Sequence, residues 1–139
     1  MRLKSKKKKE QTAPRKRLVT ADNLVVKRIL VPIDFSEHSK NALQYAVSFA
    51  KQFQSELILI YVVEPTIYPA DFSFGQVAVP SIEKELRERG KVELDQLVET
   101  QIAGALTARA MVRTGKPFLE IIDTAVEEEV DLIIIATHG

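Results

Sequence analysis

Four short apolar runs alternate with three stretches of helical periodicity, and this order constrains the fold more than any other feature of the chain. Three of the runs, residues 29–33, 57–63 and 132–136, are apolar at consecutive positions, which is typical of parallel strands buried on both faces. The remaining run, residues 107–113, alternates apolar and polar side chains, which favours an edge strand. Neighbouring parallel strands need a crossover helix, and each gap contains one candidate.

Helix-start signals separate the apolar runs. Ser36 suits the N-cap of the first helix, and Pro117 suits the first turn of the third, where its missing N–H is harmless. The second helix is expected to follow Pro80 with Ser81 as its N-cap, and Gly90 is a point at which it can kink. The β-α-β-α-β-α-β order predicts an α/β fold with an open, doubly wound parallel sheet and right-handed crossovers. The predicted buried stripes are Ala42, Ala46, Phe49, Ala50 and Phe53, then Ile82, Leu86, Leu94, Leu97 and Ile102, then Phe118, Ile121, Ile122, Ala125 and Val126.

The net charge of +1 hides a strong asymmetry. Residues 1–17 contain nine Lys or Arg and one Glu, which gives +8, and the rest of the chain carries −7. A block of like charge cannot pack a core, so residues 1–23 are expected to form a disordered tail before an α/β domain at 24–139. The tail either contacts nucleic acid or an anionic lipid surface or is a solvated extension. No aromatic residue interleaves the basic run, and an acidic body disfavours nucleic-acid binding by the domain.

Several classes of protein are excluded by what the sequence lacks. There is no cysteine, which excludes a disulfide framework, a thiolate nucleophile and a cysteine zinc site, and is consistent with a reducing cytoplasm. No apolar run approaches the roughly 20 residues that span a bilayer, so no membrane segment is expected. The P-loop, the G-x-G-x-x-G turn and the G-x-S-x-G elbow are all absent. A phospho-acceptor domain would need an aspartate at the end of the third strand, where the sequence has none.

Ligands of open α/β sheets bind beyond the carboxyl ends of the strands, so the residues at those ends are the candidate site. Asp34 leaves the first strand, and its carboxylate either bonds a ligand or helps to hold Mg²⁺, or only stabilises the start of the first helix. Gly139 either lets the backbone approach a phosphate or is a plain turn glycine. His138 has no identifiable partner as a general base. The long connection at 64–80 either forms a lid or a partner contact or is a surface loop that packs on itself.

Three segments in order resemble the universal stress protein family. They are residues 29–39, residues 115–122 and residues 131–139, and the resemblance covers roughly residues 25–139. It implies a Rossmann-like sheet of the adenine nucleotide alpha hydrolase-like type with strand order 3-2-1-4-5. It also implies binding of ATP or a related adenine nucleotide in one branch of the family, and a cytoplasmic homodimer. The chain ends after its fourth strand, so a further helix and a fifth strand, through which the family often dimerises, are expected in an intact domain.

The resemblance also implies a set of nucleotide contacts. Pro32, Ile33 and Asp34 would lie beside the nucleotide, and Val62 would contact adenine through its backbone. The turn after the fourth strand begins the family's glycine-rich phosphate loop, for which this chain supplies Ala136, Thr137, His138 and Gly139. Ala136 stands where the family has the first glycine. Asp34 is the one candidate for a contact to Mg²⁺.

Three functions remain open from the sequence. The first is a nucleotide-binding module in stress response or signalling, with the ligand across the ends of the first and fourth strands. The second is an interaction or dimerisation module of the same fold that binds no nucleotide. The third is a slow ATP hydrolase, for which no catalytic base can be identified.

We predict that deletion of residues 1–17 leaves the fold unchanged, because a segment of like charge contributes no buried surface. The melting temperature of the shortened chain, followed by circular dichroism, should match that of the full chain. A large fall would show that the basic segment is part of the folded domain.

Overall fold

The computed structural model describes residues 23–65, 78–102 and 104–137, and these form one parallel sheet with helices on both faces. The strands are β1 (Arg28–Pro32), β2 (Glu56–Val63), β3 (Ala108–Thr114) and β4 (Leu132–Ile133). The helices are α1 (Glu37–Phe53), α2 (Ala78–Leu97) and α3 (Pro117–Glu127), and a π-helical turn, Val98–Ile102, follows α2. The basic segment, most of the 64–80 connection, His138 and Gly139 lie outside the described residues.

The strand order is β3-β2-β1-β4, and every neighbouring pair is parallel. Leu30 of β1 lies opposite Ile58 of β2 on one side and opposite Ile133 of β4 on the other. The predicted α/β class and the 3-2-1-4 order are therefore confirmed, as is the edge position of β3. The chain moves outward from β1 to β2 and β3, then crosses back to β4, so strand order reverses between β1 and β4.

The core lies in two layers because alternate residues of β1 and β2 point to opposite faces. Ile29, Val31, Leu57 and Leu59 face α1 and α2, where they join the larger buried cluster. Leu30, Ile58 and Ile60 face α3 and form a smaller cluster with Ile121 and Ala125. The consecutive apolar positions of both strands are thus explained by burial on both faces.

α1 begins where the sequence predicts. Ser36 is its N-cap, and the Ser36 hydroxyl oxygen accepts a hydrogen bond from the Ser39 N–H at 3.1 Å. Three alanines of the predicted stripe are buried, but Phe49 is 43% exposed, and Leu43, which the stripe omits, is fully buried. A small-residue stripe lets α1 approach the sheet closely, so Leu43 fills the space at its centre, and Phe53 packs partly buried against the core.

The prediction for the start of the second helix was wrong. α2 begins at Ala78, so Ser81 lies inside the helix and is not its N-cap. Pro80 is tolerated there because the N–H groups of the first turn have no intrahelical acceptor. The helix also runs through Gly90 without a break, and Ile82, predicted to face inward, is 43% exposed.

Ion pairs with β3 orient α3. Arg109 bonds Glu56 at 2.8 Å and Glu128 at 2.7 Å, and Arg113 pairs with Glu127 and, at 3.7 Å, with Glu120. The hydrogen bond to Glu128 is the largest cause that raises the pKa of Arg109, and the bond to Glu127 is the largest for the pKa of Arg113. Both guanidinium groups therefore keep their charge throughout the neutral range.

This orientation corrects the predicted stripe of α3. Pro117 is the first residue of the helix, as predicted. The acidic flank faces β3, and at 3.6 residues per turn the opposite flank carries Phe118, Ile122 and Val126. All three side chains are more than half exposed, whereas Thr124 is fully buried and its hydroxyl has no hydrogen-bond partner among the described residues.

The fourth strand is shorter than predicted. Its ladder with β1 comprises Leu132 and Ile133, and one further bond joins the Ile134 N–H to the Leu30 carbonyl at 3.0 Å. Ile135 and Ala136 lie beyond that bond and are not part of the strand. The chain therefore leaves the sheet before Ala136 and reaches the carboxyl edge of β1 as a loop.

We predict that Leu43→Ala lowers the free energy of unfolding by about 2–5 kcal/mol, because it leaves a cavity in a packed core. Phe49→Ala on the same helix should cost less than Leu43→Ala, because the Phe49 side chain is 43% exposed whereas that of Leu43 is fully buried. Urea unfolding of both variants measures the difference. Equal losses of unfolding free energy in the two variants would show that Phe49 is buried, as the sequence predicts.

Candidate functional site

A crevice of about 230 Å³ lies at the carboxyl edge of the sheet, where strand order reverses. Its floor is formed by the ends of β1 and β2, and one wall comes from the first turns of α3. The loop that follows β4 forms the opposite wall. The lining residues are Pro32, Ile33, Asp34, Ser39, Ile60, Tyr61, Val62, Pro117, Ile121, Ile135 and Ala136.

The crevice brings together five of the eight predicted contact residues, namely Pro32, Ile33, Asp34, Val62 and Ala136. Thr137 is exposed and is not among the lining residues. His138 and Gly139 lie outside the described residues, so their roles stay predictions. His38, in the first turn of α1, is exposed.

The sequence prediction missed the contributions of α3 and of Ser39. Pro117 and Ile121 line the crevice because the crossover from β3 to β4 carries the start of α3 over β2 and β1. Ser39 lies one helical turn after Asp34 and is only 3% exposed. The rule that crossovers between parallel strands are right-handed could have predicted that α3 lies beside the crevice. Nothing in the sequence distinguishes Ser39 from an ordinary serine in the first turn of a helix.

Asp34 opens a tight turn that Ser36 and Ser39 close. The Asp34 Oδ1 atom accepts from the Ser36 N–H at 2.9 Å, and the Asp34 N–H donates to the Ser39 hydroxyl at 3.3 Å. The Ser39 hydroxyl in turn donates to the Ser36 carbonyl at 3.0 Å. A structural role of Asp34 at the start of α1 is therefore confirmed. It is compatible with ligand binding, because an ionised carboxylate has roughly four acceptor positions.

Between Asp34 and Ser36, Phe35 adopts a left-handed backbone conformation with φ of 66°. Its ring packs against Tyr61 of β2, with ring centroids 4.9 Å apart and planes tilted by 55°. Both rings belong to the cluster under α1 and α2. The turn at the end of β1 is thus anchored on the face of the sheet opposite α3.

The backbone of Val62 is turned toward the crevice. The last bond between β1 and β2 runs from the Ile33 N–H to the Ile60 carbonyl at 2.8 Å. Alternate residues of a strand direct their N–H and C=O groups toward the same neighbouring strand. Because Ile60 bonds toward β1, the peptide groups of Val62, two residues later, also point toward β1. Because β1 ends before reaching Val62, these groups border the crevice instead of continuing the ladder.

The charge distribution limits what the crevice can hold. Among the described residues, the lining of the crevice is mainly apolar, with Asp34 as its carboxylate and without lysine, arginine or histidine. Within the described ranges, no three His, Cys, Asp or Glu side chains converge on a metal position. An apolar slot with one acceptor at its rim suits a flat ring bearing a hydroxyl-rich group better than it suits a phosphate.

A larger hollow of about 550 Å³ lies at the opposite, amino-terminal edge of the sheet. Lys27, Lys51 and Glu56 are among its lining residues, and Glu56 is already held by Arg109. It is broad and open to solvent, and it lies away from the edge at which open α/β sheets bind their ligands. The crevice at Asp34 is therefore the stronger candidate. None of the helices in the described ranges is long and apolar enough to cross a membrane.

A sequence profile described as the universal stress protein family matches residues 26–139. The universal stress protein YxiE of Bacillus subtilis is 31% identical over 117 residues, which cover 81% of this chain and 79% of YxiE. The solved structure of the universal stress protein UspA from Lactobacillus plantarum matches with a TM-score of 0.73 at 25% identity. That match covers 84% of this chain and 81% of the UspA chain.

A further solved structure is similar in fold. It is a universal stress protein family protein from Arabidopsis thaliana with AMP bound, and its TM-score is 0.55 at 14% identity. The match covers 81% of this chain and 78% of that protein. Because the family profile matches residues 26–139, which are most of the chain, this chain belongs to the universal stress protein family.

Proposed function

We propose that the crevice at the carboxyl edge binds an adenine nucleotide, and that the protein acts as a nucleotide-responsive module in stress response or signalling. The observation that carries this proposal is the convergence of Pro32, Asp34, Val62 and Ala136 on one apolar slot at the strand-order reversal. The ring would lie between Val62 and the start of α3. The ribose hydroxyls would donate to Asp34.

The size of the crevice suggests that it holds only part of the nucleotide. About 230 Å³ is below the roughly 300–1,000 Å³ that is usual for whole ligand sites, so it suits the base and part of the sugar. The phosphates would extend toward residues 136–139, which follow β4. The AMP-bound protein from Arabidopsis thaliana supports the proposal at the level of the fold, because its fold holds this class of ligand.

The residues present fit Mg²⁺ only together with phosphates. Mg²⁺ is usually bound through one or two carboxylates, waters and the phosphates of the ligand. Asp34 is the one carboxylate of the lining, so it could supply one ligand position, and the bound nucleotide would have to supply others. Magnesium binding is accordingly proposed as dependent on the nucleotide. The proposal also places the protein in the cytoplasm.

A second candidate function, contact with a partner or a second copy, is favoured by the exposed apolar side chains of α3, β4 and the loop that follows β4. Phe118, Ile122 and Val126 are 62%, 53% and 73% exposed, and Ile133 and Ile135 are 38% and 51% exposed. Exposed apolar groups in such number mark interaction surfaces in soluble domains. Sedimentation of the chain at increasing concentration distinguishes this function from nucleotide binding, because only self-contact makes the apparent mass depend on protein concentration.

We predict that Asp34→Asn weakens nucleotide binding by about tenfold or more, because hydrogen bonds to a charged acceptor contribute about 1.5–3 kcal/mol. The asparagine carbonyl can still accept from the Ser36 N–H, so the melting temperature should change little. Titration with a fluorescent ATP analogue measures the affinity. Asp95→Asn on α2 is the matched control and should bind like the wild type. Equal affinity of both variants would remove Asp34 from the site.

We also predict that Ala136→Phe abolishes saturable binding, because the added ring fills the crevice. Ala105→Phe is the matched control: it makes the same substitution at an exposed position at the amino-terminal edge of the sheet, away from the crevice. Calorimetric titration with ATP and with AMP compares the two variants. Retained binding by Ala136→Phe would place the nucleotide elsewhere.

A further inference from the structure

We infer that Phe35 is a positioning residue for Asp34, and that α2 holds it in place through the contact between Tyr61 and Gly90. The inference rests on the proposed function, since it assigns the residues that keep the Asp34 carboxylate at the rim of the crevice. None of these three residues was predicted as part of the site.

The first observation is the backbone of Phe35. A φ of 66° is readily adopted by glycine and is unfavourable for a bulky side chain, whose Cβ approaches the neighbouring carbonyl. Such a conformation persists only where the surroundings impose it, and it is concentrated at functional sites. Here it occurs at the residue directly after Asp34, in the turn that borders the crevice.

The second observation is the contact that holds Phe35 in this backbone conformation. The Phe35 ring packs on Tyr61 at a centroid distance of 4.9 Å, an offset and tilted arrangement that aromatic pairs favour. Relaxation of Phe35 to a negative φ would swing its side chain away from Tyr61 and lose this contact. The aromatic pair therefore offsets the unfavourable backbone conformation.

The third observation is the contact with Gly90 of α2 that holds the Tyr61 ring in position. A Cβ added to Gly90 would lie 2.3 Å from Tyr61 Cδ1 and 2.6 Å from Cε1, so only glycine leaves room for the ring. Glycine is unfavourable in a helix interior, and here its presence is explained by the close approach of α2 to Tyr61. α2 contributes no side chain to the crevice lining, yet through this contact it supports the turn at Asp34.

The link to binding is the hydrogen bond that spans Phe35. The Asp34 carboxylate accepts from the Ser36 N–H at 2.9 Å, so the direction of the carboxylate depends on the backbone angles of the residue between them. A fixed φ at Phe35 keeps the acceptor in one orientation before the ligand arrives. Pre-organisation of this kind raises affinity without adding a contact to the ligand.

The test compares three variants by titration with a fluorescent ATP analogue, by thermal melting and by hydrogen exchange of the Asp34 amide. Phe35→Gly keeps the left-handed conformation accessible but frees the turn, and Gly90→Ala displaces the Tyr61 ring without replacing any residue of the crevice lining, to which Tyr61 itself belongs. Both should weaken binding about fivefold or more and speed exchange of the Asp34 amide. Phe35→Tyr retains the ring and should restore both properties to wild-type values.

A purely structural role would lower the melting temperature and leave the affinity of the folded protein unchanged, so affinity is the deciding measurement. Gln96→Ala, on the exposed side of α2, is the control for changes in that helix. If Gly90→Ala fails to fold, Phe35→Gly decides the matter alone. Wild-type affinity in Phe35→Gly overturns the inference and leaves the proposed function standing, whereas absence of binding by the wild-type chain overturns both.

Discussion

The paired strands β1 and β2 are fully buried in their central residues, and the other elements are arranged around that pair. Ile29, Leu30 and Val31 lie opposite Leu57, Ile58 and Leu59, and all six side chains are fully buried. Apolar groups on both faces require a helix layer above and below the sheet. The connections must then cross those faces, so all four strands run in the same direction and end at the same edge.

The crevice follows from this arrangement. The chain turns outward from β1 through α1 and α2 and returns through α3, so the end of β1 faces β4 at the reversal of strand order. Two neighbouring strand ends whose connections diverge leave a gap that no side chain of the sheet fills. Arg113 pairs with Glu120 and Glu127 on the β3 side of α3, whereas Ile121 and Ala125 pack against the sheet, and Ile121 borders that gap.

Structural and functional roles coincide at the turn after β1. The Asp34 carboxylate stabilises the start of α1 by accepting from the Ser36 N–H, and the same carboxylate stands at the rim of the crevice. Phe35 carries an unfavourable backbone angle between them, which is offset by aromatic packing on the far side of the sheet. A domain whose ligand site is part of a helix cap can couple ligand binding to the stability of that helix.

The amino-acid sequence by itself determined the number, type and order of the elements. Consecutive apolar residues identified β1 and β2 because burial on both faces requires them, and Ser36 and Pro117 marked helix starts through local chemistry. Asp34 and Val62 could be named from their position after a strand and from the family resemblance. What the sequence could not provide were properties that depend on a partner distant along the chain.

Only the tertiary structure showed that Ser81 lies inside α2, that Leu43 is buried in place of Phe49, and that Phe118 faces solvent. It also showed that Gly90 leaves room for the Tyr61 ring, which lies 29 positions earlier in the sequence. Periodicity reports that a helix has an apolar side, but the direction of that side is set by the ion pairs and ring contacts of other elements. For this chain, local patterning therefore determined the fold, and contacts between elements decided which residues border the crevice.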